Sequence, residues 1–522
     1  MMRLAVSGSP GRASTSAPPT ATATQVASRQ EPPRSRGLLM RVRGLLARSP
    51  RAAWMCAAVA CLNATCWALI VPPFQVTDEV DHFEYVQQLM ETGRLPSPRA
   101  KDVVSPEERS ALRGLRFFHV RFQPQNDSIA SVAQQRRLER ELARPLSRRS
   151  NGGAGTATAE PPLYYALQGI PYALGSSGTI LERLALMRML SALLAGLTTL
   201  FVYLFLRELL PRVRWSWTVG ALGVGLSPIL GANSSGVNPD ALLFVMSAAL
   251  FYCLARAFRR GLTSAAAAAI GAVVAFGCLT KLSFFSLVPG ASVGLLIIAL
   301  RGERSAWRLL GLTAATAAAP IGLFTLLHTG TGSGIGAIAS GAADSTSGHG
   351  SALGELSYTW QLYLPRLPGM TNYFPGIFTP RQLWLNALIG FYGWIDTVFP
   401  DGVYGLALIP IAAVALLCLR TLIGSRTALR RRVPELLAYL LMAVGVMAMV
   451  GGASYTFFLG HLGPWDQIRY LLPLLAPLAA VLALASGGLG THLRPAVGTL
   501  ILVLVLAHDL FSQLLVISRY YG

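Results

Sequence analysis

Charge is what this chain has least of: only 13% of its 522 residues are Asp, Glu, Lys or Arg, against 53% hydrophobic. That balance excludes an ordinary soluble protein, and apolar runs about twenty residues long recur along the chain, which is the mark of a polytopic helical membrane protein. Apolar surface is spread over many spans, so one large bundle is expected rather than several soluble domains. Cysteine is scarce too. Its six copies, Cys56, Cys61, Cys66, Cys253, Cys278 and Cys418, all fall inside apolar runs and form no CxxC or Cys/His spacing, which leaves them as packing residues. A P-loop or Rossmann glycine pattern is missing, so nothing signals a nucleotide site. No repeat of fixed period is visible. Met1 to about Gly37 has no apolar core of the kind a cleaved signal needs; it is rich in Ser, Thr, Ala, Pro and Arg, and residues 1–50 are expected to form a disordered basic cytoplasmic tail.

What charge there is lies unevenly. The net charge of +20 would suggest nucleic acid in a soluble protein; here it reflects Arg-rich loops, and no nucleic-acid partner is expected. Arg41, Arg43, Arg48 and Arg51 precede the first apolar run, and further clusters follow at Arg207/Arg212/Arg214, Arg256/Arg259/Arg260, Arg301/Arg304/Arg308 and Arg420/Arg426/Arg430/Arg431/Arg432. Each is separated from the next by about two spans, while connections such as 233–237 and 453–467 hold no Lys or Arg. The positive-inside rule then places the N-terminus in the cytoplasm and the C-terminus outside, in the cytoplasmic (inner) membrane, with about eleven spans near 52–71, 183–206, 215–232, 239–257, 264–280, 284–300, 309–327, 403–419, 434–452, 468–486 and 495–515.

Residues 51–522 thus read as one all-α transmembrane domain with two long external loops, 72–182 and 328–402. In the first, Phe83, Val86 and Met90 recur at helical spacing, which predicts a helix over 78–91 that Gly93 and Pro96 stop. A second amphipathic stretch spans about 131–146, and LYYALQGIPYAL is expected to lie as a helix in the membrane interface. The second loop begins rich in Gly and Ser and ends in ALIGFYGWIDTVFP, 387–400, expected to be a short re-entrant or surface helix.

Few polar residues fall at the outer span ends. Asp78 and Glu79 follow the first span, Asn238 and Asp240 open the fourth, Lys281 closes the fifth and Arg469 opens the tenth. An ionisable group in the membrane costs roughly 2.5 to 3.5 kcal/mol on the insertion scale, so each is a functional candidate by default. Plainer roles remain open: Asp78 and Glu79 also suit a helix N-terminus, Asn238 before Pro239 suits a helix start, and Lys281 and Arg469 also suit snorkelling or pairing with acids. His82, four residues after Asp78, leaves a divalent metal conceivable without implying one, and no other cofactor is called for.

TDEVDHFEYV, Thr77 to Val86, resembles the FDEVHF-type motif of protein O-mannosyltransferases, with Asp81 inserted between DEV and HF, and the layout resembles the GT-C superfamily of membrane glycosyltransferases. EPPLYYAL, with Tyr164 and Tyr165, SP at 227–228, NPDAL at 238–242 and RYLLPLLAPL at 469–478 are similar to later landmarks of such enzymes. PPFQVTDEVDHFEY, GFYGWIDTVFP and RYLLPLLAP together resemble a bacterial family of predicted membrane proteins of unassigned function, itself GT-C-like.

The resemblance implies inverting transfer of a sugar from a polyprenyl-phosphate donor to a glycan, lipid or protein acceptor at the outer face of the bilayer. Asp78 or Glu79 would be the base, and Lys281 and Arg469 would hold the donor phosphate. Asp81, His82, Tyr85, Tyr164, Tyr165, Asn238, Asp240, Trp394, Asp396 and Tyr470 would line the pocket. The alternatives are a transporter or flippase of lipid-linked saccharides, for which matching broken helices in two halves are not seen, and a non-catalytic partner in envelope assembly.

Overall fold

The computed structural model describes residues 50–97, 104–129, 131–150, 152–211, 213–302, 304–328, 350–375, 382–461 and 466–522. The expected basic tail therefore lies outside the described residues except for Pro50, and so does the Gly/Ser-rich start of the second external loop.

Helix α1 (Arg51–Ile70) leads into the helices of the first long loop, α2 (Glu79–Thr92), α3 (Pro106–Gly114), α4 (Val132–Leu142) and α5 (Leu163–Leu174). The bundle continues with α6 (Ile180–Leu209), α7 (Arg214–Gly225), α8 (Pro228–Asn233), α9 (Asp240–Arg260), α10 (Ser264–Thr280), α11 (Val288–Arg301) and α12 (Arg304–His328). After α13 (Ala352–Tyr363) come a hairpin of β1 (Phe391–Tyr392) and β2 (Thr397–Val398), then α14 (Asp401–Gly424), α15 (Val433–Leu459), α16 (Leu475–Ala485) and α17 (Arg494–Tyr521).

The protein is an all-α polytopic membrane protein. Among the described residues, nine helices are long and apolar enough to cross a bilayer. The sequence suggested eleven, and the other two have identifiable causes. The α10 helix is apolar but only 17 residues long. The span expected at 215–232 is broken at Ser227, whose Oγ accepts from the Leu230 amide and starts α8 with Pro228 in its first turn. The apolar helix α14 fully buries only Tyr404 and Cys418, packs Val414, Leu417 and Leu422 partly against the protein, and exposes Leu406, Ile409, Leu416 and Ile423, a surface suited to lipid rather than water. The core lies where α1 and α9 pack against α6, around Trp67, Phe205, Phe244 and Phe251, all fully buried.

The two ends of the bundle differ in chemistry. At one end Glu208, closing α6, pairs with Arg259 at 3.0 Å and Arg260 at 2.5 Å, both closing α9. At the other, the Tyr521 hydroxyl donates to the Ile70 carbonyl at 3.1 Å, joining the C-terminal ends of α17 and α1. The acids and the two out-of-place cations gather at this second end.

The first long loop forms α2 one residue later than expected, and Gly93 ends it in the left-handed region at φ 67°. α4 carries a Ser131/Gln134 capping box and buries no residue. α5, expected in the membrane interface, is a helix that packs between α2 and α6, burying Tyr164, Tyr165, Gln168 and Tyr172 and exposing Ile170 and Leu174 on its opposite side. The segment 387–400 is not a helix beyond its first turn. It folds into the hairpin, with Phe391 opposite Val398 and Tyr392 opposite Thr397; Gly393 at φ 58° turns it, and the aromatic and β-branched residues flanking that turn favour strands.

Candidate functional site

Four elements bring their ends to one point. Asp240 is the first residue of α9, Lys281 follows the last residue of α10, Arg469 sits in the 3-10 turn Ile468–Leu474 ahead of α16, and Asp78 precedes α2. Lys281 Nζ lies 2.7 Å from Asp240 Oδ1 and 3.7 Å from Glu160 Oε1. Arg469 Nε lies 3.9 Å from Asp240 Oδ2, and Arg469 Nη2 donates to Asp78 Oδ2 and, at 3.3 Å, to the Tyr470 hydroxyl. Both cations and Asp240 are at most 9% exposed, whereas the Asp78 side chain keeps 26% of its surface open. Buried charges persist only when paired, and Asp240 is the hinge of this pairing, shared between a lysine and an arginine from different helices.

Asp78 does not cap α2. It occupies the left-handed region at φ 63° and makes no side-chain capping bond, so its carboxylate is held toward Arg469 instead. A non-glycine residue in that region stores strain of order 1–3 kcal/mol, a cost that clusters at working sites. Burial pushes the Asp78 carboxyl up, but Arg469 and then His82 and Lys281 outweigh it and hold it below the usual carboxylate range.

His82, Tyr85 and Tyr165 form the wall beside this cluster. His82 Nδ1 is 2.9 Å from the Tyr165 hydroxyl, and the Tyr85 and Tyr165 rings stack with centroids 3.6 Å apart. Burial pushes the His82 imidazole down to about 3, so it stays neutral. Asp81 points elsewhere, accepting from the amide and the hydroxyl of Thr156 at 2.9 and 2.6 Å. Among the described residues no cluster of three or more His, Cys, Asp or Glu side chains forms a metal-binding group.

The structure separates the remaining sequence-derived candidates from the cluster. Glu79, expected as a base beside Asp78, is fully buried with both oxygens engaged: Arg188 Nε and Nη2 reach them at 2.8 and 2.5 Å, and the amides of Val237 and Phe74 donate at 3.0 and 2.9 Å. Arg188 also donates to the carbonyls of Ala68, Val71 and Pro72. This clamp ties the end of α1 to α6 and the start of α9, and it leaves no oxygen free to take a proton from a substrate. Asn238 is likewise a fastener, its Oδ1 accepting from the Asp240 amide at 3.0 Å and its own amide donating to the Tyr164 hydroxyl at 2.8 Å. Trp394 and Asp396 belong to the hairpin: Asp396 pairs with Arg519 at 3.2 Å, and the Arg121 guanidinium lies 3.7 Å from the Trp394 ring centre.

Beyond Arg469 lies a cavity of about 140 Å³ whose lining includes Trp67, Gln75, Asn233, Tyr392, Asp466 and Arg469. Sequence reasoning missed Glu160, Arg188, Gln75 and Asp466. Glu160 opens the EPP string and Gln75 lies in PPFQ, so those two stood inside strings already singled out, whereas the position of Arg188 within an apolar span was an intramembrane charge of the kind that flags a candidate.

Residues 61–478 match the model of a family described as predicted membrane protein (DUF2142). No curated protein matches the sequence. Among solved structures, the apo oligosaccharyltransferase of Archaeoglobus fulgidus is similar with a TM-score of 0.43 and 14% identity, over 90% of this chain and 56% of that one. The archaeal oligosaccharyltransferase AglB from the same organism, in complex with an inhibitory peptide and a dolichol-phosphate, gives the same values. The chain spans a little over half the length of these enzymes.

Proposed function

The chain belongs to the DUF2142 family of predicted membrane proteins, and we propose that it is a membrane glycosyltransferase, moving a sugar from a polyprenyl-phosphate donor to an acceptor hydroxyl at the outer face of the cytoplasmic membrane. The observation that carries this reading is the buried cluster of Arg469, Lys281, Asp240 and Asp78 at one end of the bundle. The motif resemblance of TDEVDHFEYV and RYLLPLLAP supports the same chemistry.

Two cations side by side suit a phosphate diester, which Arg469 grips in a planar fork and Lys281 meets as a point charge. Arg469 meets Asp78 with Nη2 alone while its buried Nε makes no hydrogen bond, so a phosphate that takes the Nε/Nη2 edge as a fork competes with Asp78 for Nη2. Donor binding therefore draws Arg469 away, and the Asp78 carboxylate, still largely buried, becomes a stronger base only when the donor is present. The acceptor oxygen then bonds to the anomeric carbon while the bond from that carbon to the phosphate oxygen breaks. The acceptor's proton passes to Asp78, and the electron pair leaves with the lipid phosphate, whose added negative charge Arg469 and Lys281 offset. A single displacement of this kind inverts the anomeric centre.

Asp78→Asn keeps the size and removes the base, so transfer is expected to fall about a hundred- to ten-thousand-fold with folding intact. Envelope glycan analysis of cells carrying the variant, beside a thermal melt of the purified protein, checks both halves; undiminished transfer would move the base elsewhere. The orientation is checked separately. A single cysteine near Gly332 is expected to react with an impermeant thiol reagent from outside, and one near Arg430 only after the membrane is opened. The reverse pattern would put the cluster on the cytoplasmic side.

A further inference from the structure

Two residues that line the cavity beside Arg469 carry buried acceptor oxygens with no hydrogen-bond partner among the described residues. Gln75 is 2% exposed, and its Oε1 has no hydrogen-bond partner. Asp466 takes the Ser454 hydroxyl on Oδ2 at 2.7 Å, and its Oδ1 has none. An unmade buried hydrogen bond costs about 1–3 kcal/mol, so two in one cavity mark a place where a ligand brings donors. A polyprenyl chain brings none.

The rest of the lining says what kind of donor-bearing ligand fits. Trp67 and Tyr392 face each other with ring centres 5.2 Å apart, and both turn their polar atoms into the bundle, the indole Nε1 donating to Asp509 at 2.9 Å and the phenol to Ser512 at 2.8 Å. Each is at most 3% exposed, so ring carbons rather than polar atoms are what this pair contributes to the lining, beside hydrogen-bonding side chains, a pairing that suits a ring with one apolar face and an equatorial belt of hydroxyls. The volume agrees. At the ~10–15 Å³ that one water occupies on this measure, 140 Å³ holds about ten waters, the room of a single sugar ring and far less than a long isoprenoid. Part of the wall comes from two loops tied together where Thr77 Oγ1 donates to the Gly393 carbonyl at 2.6 Å, so Asp78, the next residue, is fixed in register with the cavity.

We propose that this cavity is the donor-sugar subsite, in which hydroxyls of the sugar ring donate to Gln75 Oε1 and Asp466 Oδ1 against the Trp67 and Tyr392 walls while Arg469 holds the phosphate. This assignment rests on the glycosyltransferase reading and adds to it where the sugar, as distinct from the lipid, is recognised.

The test separates the two. In cells whose own copy is deleted, Gln75→Leu and Asp466→Ala are each expected to lower transfer at least about tenfold, while Gln75→Glu and Asp466→Asn, which keep an acceptor oxygen, retain most of it. Binding of bare undecaprenyl phosphate to the purified full chain in lipid nanodiscs is expected to be unchanged in all four. Full glycan levels with Gln75→Leu and Asp466→Ala would overturn the sugar subsite and leave the enzyme reading standing. Loss of bare lipid-phosphate binding in those two variants would also overturn it, since the cavity would then serve the lipid or the fold. Unaltered glycans on deletion, with undecaprenyl phosphate bound equally by wild type and Arg469→Ala, would sink the enzyme reading itself.

Discussion

Arg469→Ala is expected to abolish useful transfer, lowering it by about a hundred- to a thousand-fold, the usual effect of deleting one preorganised donor to developing charge. The cause is double. The variant removes the fork that grips the phosphate, and it leaves Asp78 and Asp240, which both face Arg469, without the cation that lies between them. Arg469→Lys is not expected to rescue, because a single ammonium cannot reach a phosphate and hold its geometry as a planar guanidinium does. Binding of undecaprenyl phosphate to the purified variants, measured beside glycan transfer in cells, checks this; retained binding with Arg469→Ala would leave the phosphate site without its principal residue.

Glu79→Ala is expected to have an equally large effect of a different kind. Arg188 is 4% exposed and loses the one carboxylate partner it has among the described residues, and an uncompensated buried charge of this type costs about 3–5 kcal/mol. The amides of Val237 and Phe74 lose their acceptor in the same step. The protein should therefore melt at a clearly lower temperature and accumulate poorly, while Asp78→Asn melts like wild type. Should Glu79→Ala keep its melting temperature and lose transfer alone, Glu79 would return as a catalytic acid and the clamp would be secondary.

These two neighbours show how far the sequence could be read. Acids after the first span, and cations at the ends of apolar spans, mark candidates because membrane insertion makes each charge costly. Asp78, Asp240, Lys281 and Arg469 do meet, although Asp78 and Arg469 stand 391 residues apart. What the string DE does not contain is the direction of each carboxylate. Successive helical residues point about a hundred degrees apart, and the positive φ of Asp78 turns its side chain further from that of Glu79. The partner of Glu79, 109 residues on in α6, was also invisible, since no local pattern links the two.

The fold shows the same division. Apolar length gave the bundle, and Gly93 gave the end of α2, because both are local signals. GFYGWIDTVFP misled because a short apolar run does not distinguish helix from strand, and only the antiparallel partner, supplied by the same run beyond Gly393, decides for a hairpin. LYYALQGIPYAL reads as an interfacial helix because its tyrosines are amphipathic; what the string does not contain is where their hydroxyls go, Tyr164 to Ser191 and Tyr165 to His82.

The most direct measurement is a paired analysis of lipid-linked donor and finished glycan in cells lacking the protein, complemented with wild type or with Asp78→Asn at equal expression. The account predicts that without the protein one sugar is missing from the envelope glycan and its polyprenyl-phosphate donor accumulates at the outer face, that wild type restores both to normal, and that Asp78→Asn restores neither. Donor confined to the inner leaflet would point to a flippase, and an unchanged glycan with no accumulation of donor would contradict the glycosyltransferase altogether.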